Sequence, residues 1–286
     1  MATPTRAKRQ FGAFLAELRE RAHLDPADAG AELRKSVSTI NRWEAGTALV
    51  RDWGPVRTLL QFYGATGAEL DEGARLWQAA KEEPPAVRLP SAVPRDFHEL
   101  VTAEREAVRE RTLAPYVLPA LLQTENYARA LVRAAHRFYD QGTRQDDVIA
   151  TRMRRQRLLG PPDPLILHAV IDEAAIRRSV GGPDVMREQL AHLLVVAAKP
   201  NITVQVIPFS LGAYGTMNGS CVVIDYPDAA DAPGVYLEYP AGGAWVDNVE
   251  DVKRFTTMFD DVSALALSPT DTTDLILQQI RALRTP

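Results

Sequence analysis

Apolar residues in the first eighty positions recur at steps of three and four, the period of helices that bury one face. Phe11, Phe14, Leu15, Leu18 and Ala22 share such a face and predict a helix from about Gln10 to Ala22. A second helix starts at Asp25 and Pro26, because an aspartate side chain accepts from orphan N–H groups and proline at the first helical position forfeits no bond. Ala29 and Leu33 form its inner face. Ser36 caps a third helix in which Ile40 and Trp43 point inward and which stops at Gly46. Trp53 to Tyr63 and Ala68 to Lys81 complete five helices, with Leu59, Leu60, Phe62, Leu70, Leu76 and Trp77 as core candidates.

The pattern then changes. Pro84 to Pro94 holds four prolines in eleven residues, cannot propagate a helix and reads as a linker. Beyond it, Asp96 to Arg105 is helical, Ala107 to Leu118 is extended, Thr124 caps a helix reaching about Tyr139, and Asp146 to Leu159 is another helix. Leu165 to Ile171 and the alternating Ile202 to Phe209 are strands, separated by a short helix capped by Asp172 and a longer one over Asp184 to Ala198. Ser220 to Tyr226 and Val235 to Tyr239 add two strands, and Asn248 to Leu265 and Pro269 to Arg284 two helices, the last capped by Ser268. The expected fold is multidomain: an all-α domain over 1–83, a linker over 84–94, and an α/β domain over 95–286.

The second and third helices carry the most informative chemistry. With Ile40 and Trp43 inward, Val37, Ser38, Asn41 and Arg42 point outward in i to i+4 pairs, one compact patch that begins at the N-terminus of the third helix. Their side chains suit base edges in a major groove: arginine grips guanine, asparagine adenine, serine several groups, and valine the thymine methyl. Ser36 is a further candidate for DNA contact, and Arg51 and the early cations Arg6, Lys8 and Arg9 are candidate phosphate contacts. A helical hairpin with a merely solvated polar face shares the same periodicity.

Ser36, Thr39, Ile40, Arg42, Glu44 and Gly46 match the pattern S-x-x-T-I-x-R-x-E-x-G, and residues 11 to 63 resemble the XRE-type helix-turn-helix domain of phage repressors and bacterial regulators. The resemblance implies a lambda-repressor-like fold and a recognition helix that reads an operator through Val37, Ser38, Asn41 and Arg42. Pro26 and Arg34 depart from the family, which has glutamine and glycine at those places. The segments YVLPALLQTENYARAL (Tyr116 to Leu131), RMRRQRLL (Arg152 to Leu159), IDEAAIRRSVGGPDVMREQLAHLL (Ile171 to Leu194) and ITVQVIPFSLGAYG (Ile202 to Gly215) resemble the C-terminal domain of actinobacterial WhiJ-like regulators. Ala120 stands where that family commonly has glycine. This second resemblance implies an antitoxin-like regulator paired with a small protein encoded nearby.

Composition constrains the alternatives. Of 286 residues, 46% are hydrophobic and 24% charged, and no apolar run approaches the ~20 residues that span a membrane. The opening MATPTRAKRQFG lacks the apolar core of a signal peptide, and a lone cysteine, Cys221, fits a reducing cytoplasm, where it reads as a buried structural thiol. The net charge of -4 is uneven: residues 1–57 hold ten Lys and Arg against seven Asp and Glu, whereas 161–286 hold eight against sixteen. A cation excess this modest implies that two copies act together, as a homodimer on paired half-sites.

No catalytic, cofactor or metal set emerges. His23, His98, His136, His168 and His192 lack metal-ligand spacing, and Gly212, Gly215 and Gly219 match no phosphate-binding loop. His168, inside an apolar strand, reads as a hydrogen-bonded core residue. Arg152, Arg154, Arg155 and Arg157 read first as a solvated face paired with Asp146 and Asp147, and second as an anion site. Arg152, Arg155, Glu173 and Glu238 are therefore the candidates for contact with a partner or ligand. The leading expectation is a cytoplasmic, sequence-specific DNA-binding transcription regulator whose second domain senses a partner or ligand and is not an enzyme. An antitoxin-like protein that mainly sequesters a small partner, and an enzyme with an appended DNA reader, remain open beside it.

Overall fold

A computed structural model describes residues 6–81, 95–135, 145–215, 217–227, 233–239 and 242–283. The chain divides into two compact units, Met1–Ala86 and Val87–Pro286. The Pro84 to Pro94 segment, His136 and the expected helix end at Tyr139 lie outside the described residues.

The first unit is all helical: α1 (Arg6–Arg21), α2 (Pro26–Leu33), α3 (Val37–Glu44), α4 (Trp53–Phe62) and α5 (Gly67–Lys81). Phe11, Leu15, Leu18, Ile40, Trp43, Leu59, Leu60 and Trp77 form its core, as their periodicity predicts. Leu70 and Leu76 only border that core, and Phe62 is exposed, because it falls off the face of α4 that Val56, Leu59 and Leu60 bury.

The second unit is α/β. Its sheet runs β3-β2-β1-β4-β5-β6 with β1 (Arg109–Ala114), β2 (Ile166–Asp172), β3 (Ile202–Ile207), β4 (Cys221–Asp225), β5 (Gly234–Tyr239) and β6 (Gly242–Val246). β1, β2 and β3 pair in parallel, and β4, β5 and β6 continue the sheet antiparallel. Pro115 closes β1, since proline has no N–H to give to a ladder. The helices are α6 (Arg95–Glu106), α7 (Glu125–Ala134), α8 (Gln145–Arg155), α9 (Glu173–Arg177), α10 (Pro183–Ala197), α11 (Val249–Leu265) and α12 (Pro269–Ala282).

Strand alternation sorts the core into two faces. Leu167, Ala169 and Ile171 of β2 and Val204 and Val206 of β3 pack with Leu190 and Leu193 of α10 and Ile276 of α12. Leu113, Val170, Cys221, Val223 and Val235 face the other way onto Val252, Phe259 and Val262 of α11. Cys221 is buried, and its surroundings push the thiol up to about 11. α6 packs Ala103 on Ile224 and Tyr226.

The edge strand β3 is blocked, because Val206 N–H donates to Thr272 Oγ1 at 3.0 Å and Val206 C=O accepts from Leu267 N–H at 2.9 Å. β6 is the strand that hydrophobic alternation misses: Gly242, Gly243 and Ala244 carry no apolar pattern. Pairing with β5 makes it a strand, and the absence of a Cβ at Gly243 leaves room for the Tyr236 ring. Among the described residues no helix is long and apolar enough to cross a membrane.

Candidate nucleic-acid interface

The start of α2 is fixed by a reciprocal cap: Asp25 Oδ1 accepts from Ala27 N–H at 2.7 Å and Asp28 N–H at 3.0 Å, while Asp25 N–H donates to Asp28 Oδ2 at 2.8 Å. α2 ends at Arg34, which adopts φ 53°, the left-handed conformation that glycine takes at no steric cost. Lys35 N–H returns to Gly30 C=O at 2.8 Å, so the chain reverses within two residues. Ser36 then caps α3, its Oγ accepting from Thr39 N–H at 3.2 Å and lying 2.9 Å from Thr39 Oγ1.

Within α3 only Ile40 and Trp43 are buried, and Val37, Ser38, Asn41 and Arg42 are all exposed. Arg42 has no side-chain partner among the described residues, and neither do Lys35 and Arg51, both exposed. The C-terminal end of α3 is bolted to α1: Arg19 Nε donates to Glu44 Oε1 at 2.7 Å, Nη2 to Oε2 at 2.9 Å and Nη1 to Leu24 C=O at 2.8 Å. The hydrogen bond to Glu44 raises the guanidinium further above its ordinary range despite burial. Gly46 completes the anchorage, with φ +66° and a position at which a Cβ would lie 2.8 Å from the backbone of Lys8 and Arg9. The helix therefore presents four outward side chains on a mount with little freedom to tilt.

In the second unit, the four candidates are not brought together as one surface site. Arg155 is buried: its Nε donates to Glu104 Oε2 at 2.7 Å, its Nη2 bonds Glu104 Oε1, and its guanidinium stacks 4.7 Å from the Phe97 ring centroid. Burial opposes its charge, but Glu104 outweighs that and holds the arginine protonated. Arg152 donates to Gln123 Oε1 at 2.8 Å. Asp146 receives Arg129 from α7 at 2.7 Å. The expected solvated arginine face is thus corrected: Arg154 and Arg157 are exposed, whereas Arg155 turns inward because its partner lies on α6, 51 residues away.

Glu173 is buried too, its Oε2 accepting from Phe209 N–H at 2.6 Å and its Oε1 from Arg177 Nε at 2.6 Å. Glu238 is exposed on β5, within electrostatic range of Arg155. Asp172 caps α9 through Ala174 N–H at 2.7 Å and accepts from the Tyr214 hydroxyl at 2.9 Å. His168 bonds Gln205 at 2.7 Å and meets the Phe259 ring edge-on.

Residues that the sequence reading passed over complete this picture. Glu104 and Glu110 flank Arg155, and burial, then the neighbouring Glu104, push the Glu110 carboxyl well above the usual carboxylate range. One signal was available: Glu104 falls at i+4 from Leu100 on the apolar face of α6, where an unpaired carboxylate is costly. Three glutamines hold the LLQT turn after β1. Gln123 Nε2 donates to Leu118 C=O at 2.6 Å, Gln156 Nε2 to Gln123 C=O at 2.6 Å, and Gln189 Nε2 to Leu122 C=O at 2.8 Å. No sequence spacing announces that network.

A capped helix, bolted to its neighbour and presenting an exposed outer face, fits a helix-turn-helix unit of a DNA-binding regulator. The comparison with known families agrees, since residues 10–73 match the family described as "Helix-turn-helix domain". Residues 97–278 match the family described as "Domain of unknown function (DUF5753)", and the chain belongs to that family. No curated protein and no solved structure matches the chain.

Proposed function

We propose that this protein is an XRE-type, sequence-specific transcription regulator that reads an operator through α3, as a homodimer on paired half-sites. The observation that carries the reading is the exposure of Val37, Ser38, Asn41 and Arg42 at the N-terminal end and outer face of α3, with Ile40 and Trp43 buried behind them. Arg42 supplies a bidentate grip on guanine and Asn41 the corresponding grip on adenine, each discriminating by about 1–3 kcal/mol. Selection of bound duplexes from a random pool, with the whole protein and with Arg42→Ala, tests this assignment. The variant is expected to lose preference at one position per half-site, and an unchanged preference would overturn it.

The second unit is read as the sensor of a partner or ligand, a small protein encoded nearby being the candidate that the WhiJ-like resemblance suggests. A sensing role is favoured over a catalytic one because the carboxylates at the end of β2 are already engaged, Asp172 in a helix cap and Glu173 with Phe209 N–H. Binding to this unit would act by shifting the population of operator-competent protein. A truncation ending at Lys81 that binds the selected duplex like the full chain, together with no effect of the neighbouring protein on the full chain, would remove the sensing part of the reading.

A further inference from the structure

Beside α3, the first unit contains an open cleft of about 870 Å³ whose lining includes Lys8, Lys35, Arg42, Arg51 and Lys81 against, among the described residues, a single carboxylate, Asp52. Its floor is apolar, with Trp43 and Val50 among the lining residues. The cations come from five separate places in the chain: the start of α1, the turn before α3, α3 itself, the loop after α3, and the last residue of α5. Tertiary structure has therefore gathered them, which sets them apart from a basic tail.

The wall bearing Arg51 and Lys81 is held in place. Trp77 Nε1 donates to Val50 C=O at 2.8 Å, a buried bond that clamps α5 against the loop carrying Arg51. One turn further along α5, Lys81 sits with its ammonium 4.8 Å from the centre of the Trp77 ring. The same tryptophan thus positions both cations. Arg42 lines the cleft as well as standing on the outer face of α3, so the cleft adjoins the surface assigned to the bases.

We propose that this cleft seats the sugar-phosphate backbone of double-stranded DNA bordering the groove read by α3, with Lys35, Arg51 and Lys81 as phosphate contacts. The inference rests on α3 being the reading helix and adds α5 to the footprint. An array of fixed cations over an apolar floor suits phosphodiesters, which lose condensed counterions when lysine or arginine replaces them. The contacts position the duplex and carry no sequence preference of their own.

The test uses the full-length protein and a short duplex of mixed sequence, with affinity measured by fluorescence anisotropy across a series of salt concentrations. Lys81→Gln and Lys35→Gln each are expected to reduce the slope of log affinity against log salt by about 0.9 per bound protomer, the loss of one phosphate contact from each copy. Both lysines are exposed, so circular-dichroism melting should be unchanged. Arg57→Gln, exposed on α4 and outside the cleft, controls for net charge and should leave the slope intact.

Unchanged slopes in Lys81→Gln and Lys35→Gln overturn the cleft, and so does an equal fall in Arg57→Gln. Arg42→Ala in the random-pool selection separates this from the reading of α3. Lost preference with unchanged lysine slopes removes the cleft alone, whereas retained preference with lowered slopes removes the assignment of α3 and keeps the cations as phosphate contacts.

Discussion

The two units differ in which arginines they leave exposed and which they engage. In the first, Arg42 and Arg51 stand exposed without side-chain partners among the described residues, and Arg19 is spent on bolting α3 to α1. In the second, Arg155 pairs with Glu104, Arg111 with Asp225 at 2.8 Å and Arg177 with Glu173 at 2.6 Å. The densest run of arginines in the chain therefore yields less outward charge than its sequence suggests. Density of like charge along a helix does not measure its capacity to bind an anion; that depends on which side chains burial has already engaged.

The largest effect expected from breaking this contrast is Glu104→Ala. It leaves the Arg155 guanidinium buried without its carboxylate, and removal of one partner of such a pair costs about 3–5 kcal/mol. Urea unfolding of the full chain should show the transition of the second unit moving to lower denaturant; a loss below about 1 kcal/mol would mean that the pair is well hydrated. Arg42→Ala should show the converse, with up to about 3 kcal/mol of discrimination lost at its base and no change in melting. Ser36→Ala comes next: loss of the cap of α3 should lower the stability of the first unit by about 1 kcal/mol, read from the same unfolding curve.

The units should also differ in their response to pH. The raised Glu110 carboxyl binds its proton more tightly in the folded state, so its contribution is full below the ordinary carboxylate value of about 4.3 and lost as pH rises through the folded value. Glu110→Gln should accordingly stabilise the second unit at neutral pH and flatten its profile. In the first unit, hydrogen bonds from Arg21 and Thr66 hold Glu69 down at about 2. Its contribution is present above the ordinary range and lost as pH falls toward 2, so Glu69→Gln should lower the stability of the first unit at neutral pH and flatten its acid limb. Thermal melts of the two variants across pH distinguish these slopes. The smallest expected change is Arg34→Gly, a gain of under about 1 kcal/mol from relief of left-handed strain, offset by the greater freedom of glycine in the unfolded chain.

Local signals were enough for the first unit. Asp25, Ser36 and the Ile40 and Trp43 spacing specify α2, α3 and their outward face within a few residues of one another, and caps and periodicity act at that range. Thr124, Asp172 and Ser268 mark helix starts in the second unit for the same reason. The strands β2, β3, β4 and β5 follow from apolar runs and alternation.

Long-range packing settled the rest. The order β3-β2-β1-β4-β5-β6 depends on pairing between distant segments, and β6 exists because β5 offers it a ladder and glycine makes space for Tyr236. Arg155 turns inward because α6 supplies Glu104, and the cationic cleft forms because Trp77 brings the end of α5 to the loop after α3. Helix caps and hydrophobic period are written in neighbouring residues and survive reading along the chain. Partners of charge and the edges of sheets are not, since their free energies depend on which remote groups share their burial.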